Sequence, residues 1–443
     1  MADALPTSAI IARLETLGQT LGTIATEHRD VSLATLEQAV LAAVRAALPA
    51  LLTAVVELNQ RGLHEPEAHW RQPCPQCGQR CGVEHWRSRT LQTVCGPITW
   101  ERPWYHCRSC GHGFSPTDTR LGVMPRQRLS GELERWVVTL GASASFQEAA
   151  ALLADLTGLT VSPETVRQYT EQQGQAWEAE ALTESVEVQR TQEAAAPLDP
   201  APGQLVVETD GVMVRYQDGW HEVKLGLVAG LAEGQLHRPS YVAARASPAQ
   251  FGPRLVAEAA RRGALEEIGW DGPVTRRVLA VLPEVVVLGD GAHWIWDLAA
   301  EQFGTRTEIV DFYHASEHLW NVAHALYPEE ATARPWALAQ LHQLRAQGSA
   351  PVLETLRTAR APTPEGTETL RRERGYFRTH AARMAYPTFR ARGLPIGSGA
   401  IESAAKHVVQ LRLKRPGARW SVPGAQAVLQ VRCRLRSGLP LTA

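Results

Sequence analysis

Leu205-Val206-Val207-Glu208-Thr209-Asp210-Gly211 is an apolar run that closes on a carboxylate and a glycine. Val285-Val286-Val287-Leu288-Gly289-Asp290-Gly291 repeats the arrangement further along the chain. A charge within an apolar strand is costly unless something pairs with it. Either Asp-Gly alone reads as a turn. Two of them closing apolar strands point instead to a site.

Outward from these runs, residues 205–216 and 221–231 are β-rich and joined by Gln217-Asp218-Gly219, a short hairpin connection. Residues 248–263 read as a helix, 284–288 as a buried strand and 307–310 as another strand. Antiparallel strands followed by helix, strand, helix and strand is the order of a ribonuclease-H-like sheet. A third carboxylate, Glu402, lies on the helix opened by Gly397-Ser398-Gly399-Ala400-Ile401, with Ser398 as its expected N-cap. Two acids at strand ends and a third on a later helix are what a sheet needs to hold two divalent metal ions for phosphoryl transfer. Magnesium, or manganese, suits carboxylate oxygens. The site reading is therefore Asp210, Asp290 and Glu402 as catalytic residues and Mg²⁺ ligands.

The chain has 443 residues, 44% of them hydrophobic, enough for about three domains. No secretory signal and no apolar run able to span a bilayer are read from it, so a soluble, cytoplasmic, nucleoid-associated protein without membrane contact is expected. Six of the seven cysteines cluster between Cys74 and Cys110, which favours metal over disulfides. Cys74-Pro-Gln-Cys77 and Cys107-Arg-Ser-Cys110 form two knuckles, each followed by glycine, with strands expected at 91–94 and 98–104. Four thiolates predict one structural Zn²⁺ with no open position for chemistry. Cys81 and Cys95 read as packing residues, with Cys81 as a competing ligand.

Residues 9–62 form an amphipathic helical segment, a core stripe or dimer seam. Ser145-Phe-Gln-Glu148 is a capping box for a helix over 146–156, and Ser162-Pro163 opens a second over 164–172, a helix-turn-helix pattern. Arg167 and Gln168 on that second helix are candidate DNA contacts. The net charge of −1 hides an asymmetry, since residues 403–443 contain eight basic residues and no acid. Lys406, Arg412, Lys414, Arg415 and Arg419 in that stretch are read as a DNA surface, against the plainer reading of a solvated basic face.

The expected organisation is α/β and multidomain. It comprises an N-terminal helical segment (1–69), a zinc ribbon (70–120), a helix-turn-helix-like domain (121–187) and a linker (188–203). A ribonuclease-H-like core follows (204–318 and 395–443), interrupted by a helical insertion (319–394) whose arginines 371, 372, 374, 378 and 383 either grip DNA or are solvated.

With these motifs assembled, the chain resembles bacterial insertion-sequence transposases of the DDE class, specifically the ISKra-like group with an N-terminal zinc ribbon, related to Mutator-type transposases. The resemblance rests on the two cysteine pairs, Glu208-Thr-Asp210-Gly211, Gly289-Asp290-Gly291, Asp311-Phe-Tyr-His314 and Gly397-Ser-Gly-Ala-Ile-Glu402-Ser403, with Arg412, Trp420 and Gly424 after it. It implies that Asp210, Asp290 and Glu402 form the metal-binding triad, and that Asp311 and His314, which the residues alone leave unassigned, support it. It further implies hydrolysis at transposon ends, transfer of the 3′ hydroxyl into target DNA, double-stranded DNA as partner and a homo-oligomer. The alternatives are a metal-dependent nuclease of the same fold without strand transfer, and a transposase-derived DNA-binding protein.

Overall fold

The computed structural model describes residues 8–60, 71–191, 204–262 and 284–441. The chain is a mixed α/β protein with two sheets, and it divides into two compact units. One holds the residues up to Leu140 together with Phe146–Val166; the other holds Gly141–Ser145 and Arg167–Leu441.

In the first unit, helices α1 (Ser8–Glu27) and α2 (Leu33–Gln60) pack on each other. Contrary to the sequence reading, α2 is long and apolar enough to cross a membrane by length and composition, with a mean hydropathy of 2.1 over its most apolar window. Part of that apolar side is used within the fold: Leu52 and Val56 pack on Leu91, Ile98 and Trp100. Those three belong to a four-stranded antiparallel sheet of β1 (Arg71–Pro73), β2 (Arg80–Thr93), β3 (Gly96–His106) and β4 (Gly113–Phe114). The central hairpin is longer than the periodicity indicates, because its outer half, 84–88, is exposed and polar apart from Trp86.

Helices α3 (Pro116–Arg120), α4 (Gly131–Ser143), α5 (Phe146–Thr157) and α6 (Pro163–Thr191) follow. The second helix of the proposed helix-turn-helix does not end at residue 172. It continues for 29 residues in all, through Gly174 and into the stretch read as a linker. From residue 192 that linker lies outside the described residues. Gly174 is no stop signal: a Cβ there would lie 2.1 Å from the carbonyl oxygen of Ala427, so glycine is required for a close approach between helices.

The second unit is built on β5 (Gln204–Tyr216), β6 (Gly219–Ala232), β7 (Gln235–Ala244), β8 (Glu284–Gly289) and β9 (Arg306–Val310), in the spatial order β7-β6-β5-β8-β9. The first three are antiparallel; β8 and β9 run parallel to β5. Helices α7 (Pro248–Arg261) and α8 (His293–Gln302) cover one face, with Phe251 and Leu255 against Gly226 and Ile295 against Gly289. Val206, Val286 and Val287 of the sheet are fully buried in the same apolar core as Leu344, Leu356, Leu370 and Phe377. The helices of the 319–394 stretch are therefore built into this unit. They are the body of α9 (Phe312–Leu326), α10 (Glu330–Gln347), α11 (Ser349–Thr358), α12 (Pro364–Thr379) and α13 (Tyr386–Ala391). Their arginines are largely engaged internally: Arg371 with Glu368, Arg372 with Glu373, Arg383 with Glu308, and Arg374 on the Leu356 and Ala359 carbonyls.

Next comes one continuous helical rod: α14 (Gly399–Ala404), a π-helical segment (Ala405–Gln410) and α15 (Leu411–Leu413). The last helix, α16 (Val422–Arg436), carries Arg432, which is 1% exposed. Its guanidinium donates to the carbonyls of His407 and Val408 in the π-helical segment and to that of Ala142 in the last turn of α4. Arg432 is thus a structural group, and burial drags its pKa down to about 10.

Gly174→Ala is expected to force α6 and α16 apart and to destabilise the protein by about 1–3 kcal/mol or more. Urea denaturation followed by circular dichroism measures this; unchanged stability would mean that the helices do not approach as closely as described.

Candidate functional site

Strand register brings the acids together. β5 pairs with β8 as Glu208 with Leu288, and β8 pairs with β9 as Gly289 with Val310. Carrying the register on by one or two residues sets Asp210, in the middle of β5, beside Asp290 and Asp311, which directly follow the carboxyl ends of β8 and β9, the usual position for a site in such sheets. Asp210 and Asp290 are half-buried, and Asp311 is fully buried. The Gly211 N–H donates to Asp210 Oδ1 at 2.7 Å, and the Ala292 N–H donates to Asp290 Oδ1 at 2.8 Å.

Glu402 arrives from elsewhere in the sequence, and two other acids bring it in. Ser398 is the N-cap residue of α14, but its side chain makes no capping bond. Its hydroxyl donates instead to Asp311 Oδ2 at 2.7 Å, and its N–H donates to Asp311 Oδ1 at 3.2 Å. The missing cap comes from the sheet: Glu208 Oε2 accepts the Ile401 N–H at 2.8 Å. Glu208, two residues before Asp210 and so on the same face of β5, is fully buried, and its Oε1 has no hydrogen-bond partner. Glu402 itself remains exposed.

The electrostatics confirm the proximity. Burial raises the pKa of Asp210, and the charges of Asp290 and Glu402 add to the effect while His314 opposes it. Burial pushes Glu208 up to about 7, with Asp311 and Glu402 adding and the Ile401 amide opposing. Burial would also raise Asp311, but hydrogen bonds from His314, Ser398 and Tyr313 hold it below the usual carboxylate range. His314 Nδ1 donates to Asp311 at 2.8 Å, which with the nearby charge of Asp290 lifts its pKa to about 9. The cluster therefore holds several carboxylates against one imidazolium, with oxygen donors suited to a hard divalent cation.

The sequence reading missed what backs Asp290. The Tyr376 hydroxyl donates to the Asp290 carbonyl at 3.2 Å, and its ring stacks on His318 with centroids 3.6 Å apart. His318 in turn bonds buried Glu373 at 2.5 Å. Beside Tyr376, His380 accepts from Arg383 on Nδ1 at 3.3 Å; burial, with Arg383 adding, lowers its pKa to about 4. Only long-range packing of α12 makes these residues neighbours of Asp290, so no local signal could have found them. Glu208 did carry a signal, its spacing from Asp210.

In the first unit Cys74, Cys77, Cys107 and Cys110 converge, their sulfurs all within 4.8 Å of one another, an arrangement able to hold a metal ion and compatible with zinc. Among the described residues no acidic group is as compact. Gly78 and Gly111 follow the knuckles, both with φ of +75°, and their N–H groups donate back to the Cys74 and Cys107 carbonyls. Chiefly the Cys110 backbone N–H, with that of Ser109 helping and burial opposing, pulls the Cys107 thiol down to about 6. This favours the thiolate that a metal needs. Cys81 packs against Cys74 and Cys107 without being one of the four: its thiol donates to the Gln79 carbonyl, and burial first, then Cys107, pushes it up to about 11. Cys95 lies in the turn of the β2–β3 hairpin.

The residues read as DNA contacts divide. Lys406, Lys414, Arg419 and Gln168 are exposed and Arg415 is half-buried. Arg167 is held by Glu171 at 2.5 Å. Arg412 must be corrected: it is 3% exposed, stacks on Trp420 at 4.8 Å and donates to the Gly141 carbonyl, so it serves packing and not a surface.

The family described as "Uncharacterised protein family (UPF0236)" matches residues 29–237. This stretch contains the four clustered cysteines and Asp210, but neither Asp290 nor Glu402. A protein of Streptococcus gallolyticus described as "UPF0236 protein in vanSb 3'region" is 28% identical over 167 residues, which cover 36% of this chain and 34% of that protein. The chain therefore spans about a third of the length of the curated relative it matches.

Purified protein is expected to carry about one equivalent of zinc, lost on Cys107→Ser and kept on Cys81→Ser, as atomic absorption would show. His380 gives a second expectation. Its folded pKa lies below the ordinary 6.5, so its contribution is intact above pH 6.5 and is lost as pH falls toward 4. The loss is on the order of 3 kcal/mol at ~1.4 kcal/mol per pKa unit. Comparing urea midpoints at pH 7 and pH 4.5 for native protein and His380→Gln tests this: the acid-side loss is smaller in the variant.

Proposed function

We propose that this chain is a DDE transposase of the ISKra-like group, acting through a ribonuclease-H-like catalytic unit. The observation that carries the reading is the strand register that aligns Asp210 of β5 with Asp290 at the carboxyl end of the adjacent parallel strand β8, with Glu402 held beside them. The sheet order, three antiparallel strands continued by two parallel ones, supports the ribonuclease-H-like assignment. On this reading Asp210, Asp290 and Glu402 hold the catalytic Mg²⁺ or Mn²⁺. The raised pKa of Asp210 fits the role: burial is its chief cause, and the charges of Asp290 and Glu402 add a repulsion that a divalent cation relieves. Two such ions, when bound, supply Lewis acidity and stabilise the entering and leaving oxygens of a phosphodiester.

The remaining roles belong to the chain. Asp311 and His314 brace the strand edge, and the exposed Lys406, Lys414 and Arg419 offer charge to a DNA backbone. The zinc ribbon and the α5–α6 region are proposed to recognise double-stranded transposon ends. Acting on two ends requires a second copy, so a homo-oligomer in the bacterial cytoplasm is part of the proposal. A nuclease on the same sheet is the competing reading, and strand transfer separates the two.

The test is cleavage of labelled DNA carrying the ends of the host element, with Mg²⁺ or Mn²⁺, followed by joining of a pre-cut end with a 3′ hydroxyl. Metal-dependent cutting and joining are expected from native protein. Asp210→Ala, Asp290→Ala and Glu402→Ala are expected to bind the ends and do neither. Cutting without joining favours the nuclease; cutting by the three variants rejects the site.

A further inference from the structure

We infer that Glu208 is a positioning residue: its buried carboxylate caps the Glu402 helix from the sheet and thereby fixes Glu402 relative to Asp210. The inference rests on the proposed metal site, but its geometric half stands alone. In α14 the first backbone bond is from the Glu402 N–H to the Ser398 carbonyl, so the Ile401 N–H lies before the helical ladder begins. Helix-start amides need an acceptor from outside the ladder, normally the N-cap side chain. Ser398 is turned to Asp311 and makes no cap. Glu208 Oε2 fills the position at 2.8 Å, from a strand that also carries Asp210. Asp210 and Glu402 are thereby joined through two residues of β5, one hydrogen bond and one helical residue.

A buried carboxylate is an expensive way to cap one amide. The unpartnered Oε1 of Glu208 shows that packing alone does not account for it. The cost is understandable if a carboxylate plane, anchored at one oxygen, is needed to fix the bearing of the next residue, Glu402. Outer groups that orient metal ligands typically cost about 10–100-fold in metal affinity when removed.

The test compares Glu208→Ala and Glu208→Gln with native zinc-loaded protein, using two readouts. In residue-resolved amide exchange, Glu208→Ala is expected to speed exchange at Ile401 and α14 while β5 and β8 keep their protection. Glu208→Gln, which retains a carbonyl acceptor, restores it. In Mn²⁺ binding followed by the free-ion electron paramagnetic resonance signal, Glu208→Ala is expected to lose about 10–100-fold in affinity and Glu208→Gln to recover most of it. Unchanged Ile401 exchange in Glu208→Ala overturns the clamp. A Gln variant as impaired as the Ala variant in Mn²⁺ binding, with exchange restored, makes Glu208 a ligand and overturns the positioning role. If native protein binds no Mn²⁺, the proposed function falls, and the exchange measurement alone decides whether Glu208 clamps the helix.

Discussion

Two buried carboxylates hold the second unit's site together. Glu208 takes the amide of Ile401, and Asp311 takes both the amide and the hydroxyl of Ser398. Without these bonds the short α14 would have an uncapped start, and only the burial of Ile401 and Ala404 would hold it against the sheet. Each acid repays its desolvation differently. Asp311 collects enough donors, including His314, to stay ionised, whereas Glu208 has one donor and keeps a raised pKa. The result is a strand edge whose acids are partly structural and partly available, and only the available ones, Asp210, Asp290 and Glu402, face outward.

Much of this arrangement could be read from the chain. The Val-rich run before Asp290-Gly291 stops at a strand end, whereas Asp210-Gly211 lies inside β5, where the apolar run stops and the strand goes on to Tyr216. The two Cys-x-x-Cys pairs are legible because thiolate geometry demands that spacing. What was not legible depends on distant partners. Ser398 looks like an N-cap and its hydroxyl is spent on Asp311; Arg412 looks like a phosphate contact and lies under Trp420. The helix expected to end at 172 runs on through Gly174, which lies against the Ala427 carbonyl. In each case local propensity names a residue's abilities, and tertiary packing selects among them.

The long separation between Asp290 and Glu402 also acquires a physical meaning. The intervening helices share the core of the sheet, and one of them supplies Tyr376, whose hydroxyl holds the Asp290 peptide. The second acid is thus steadied by a helix that takes no part in the Glu208 and Asp311 clamp. His318 completes the brace by stacking on the tyrosine ring, and Glu373 holds His318 in place through its Nδ1.

The π-helical segment after Glu402 changes the phase of the rod. A turn wider than an α-helix holds one extra residue, so every side chain beyond it is rotated by about 100° relative to an uninterrupted helix. Glu402 lies before this phase change, and Leu411, Arg412 and Leu413 lie after it. Arg432, seated on the His407 and Val408 carbonyls, occupies the oxygens that a tighter winding would reclaim. The angular offset between Glu402 and the buried Arg412 at the other end of the rod is therefore held by a single guanidinium contributed from another helix.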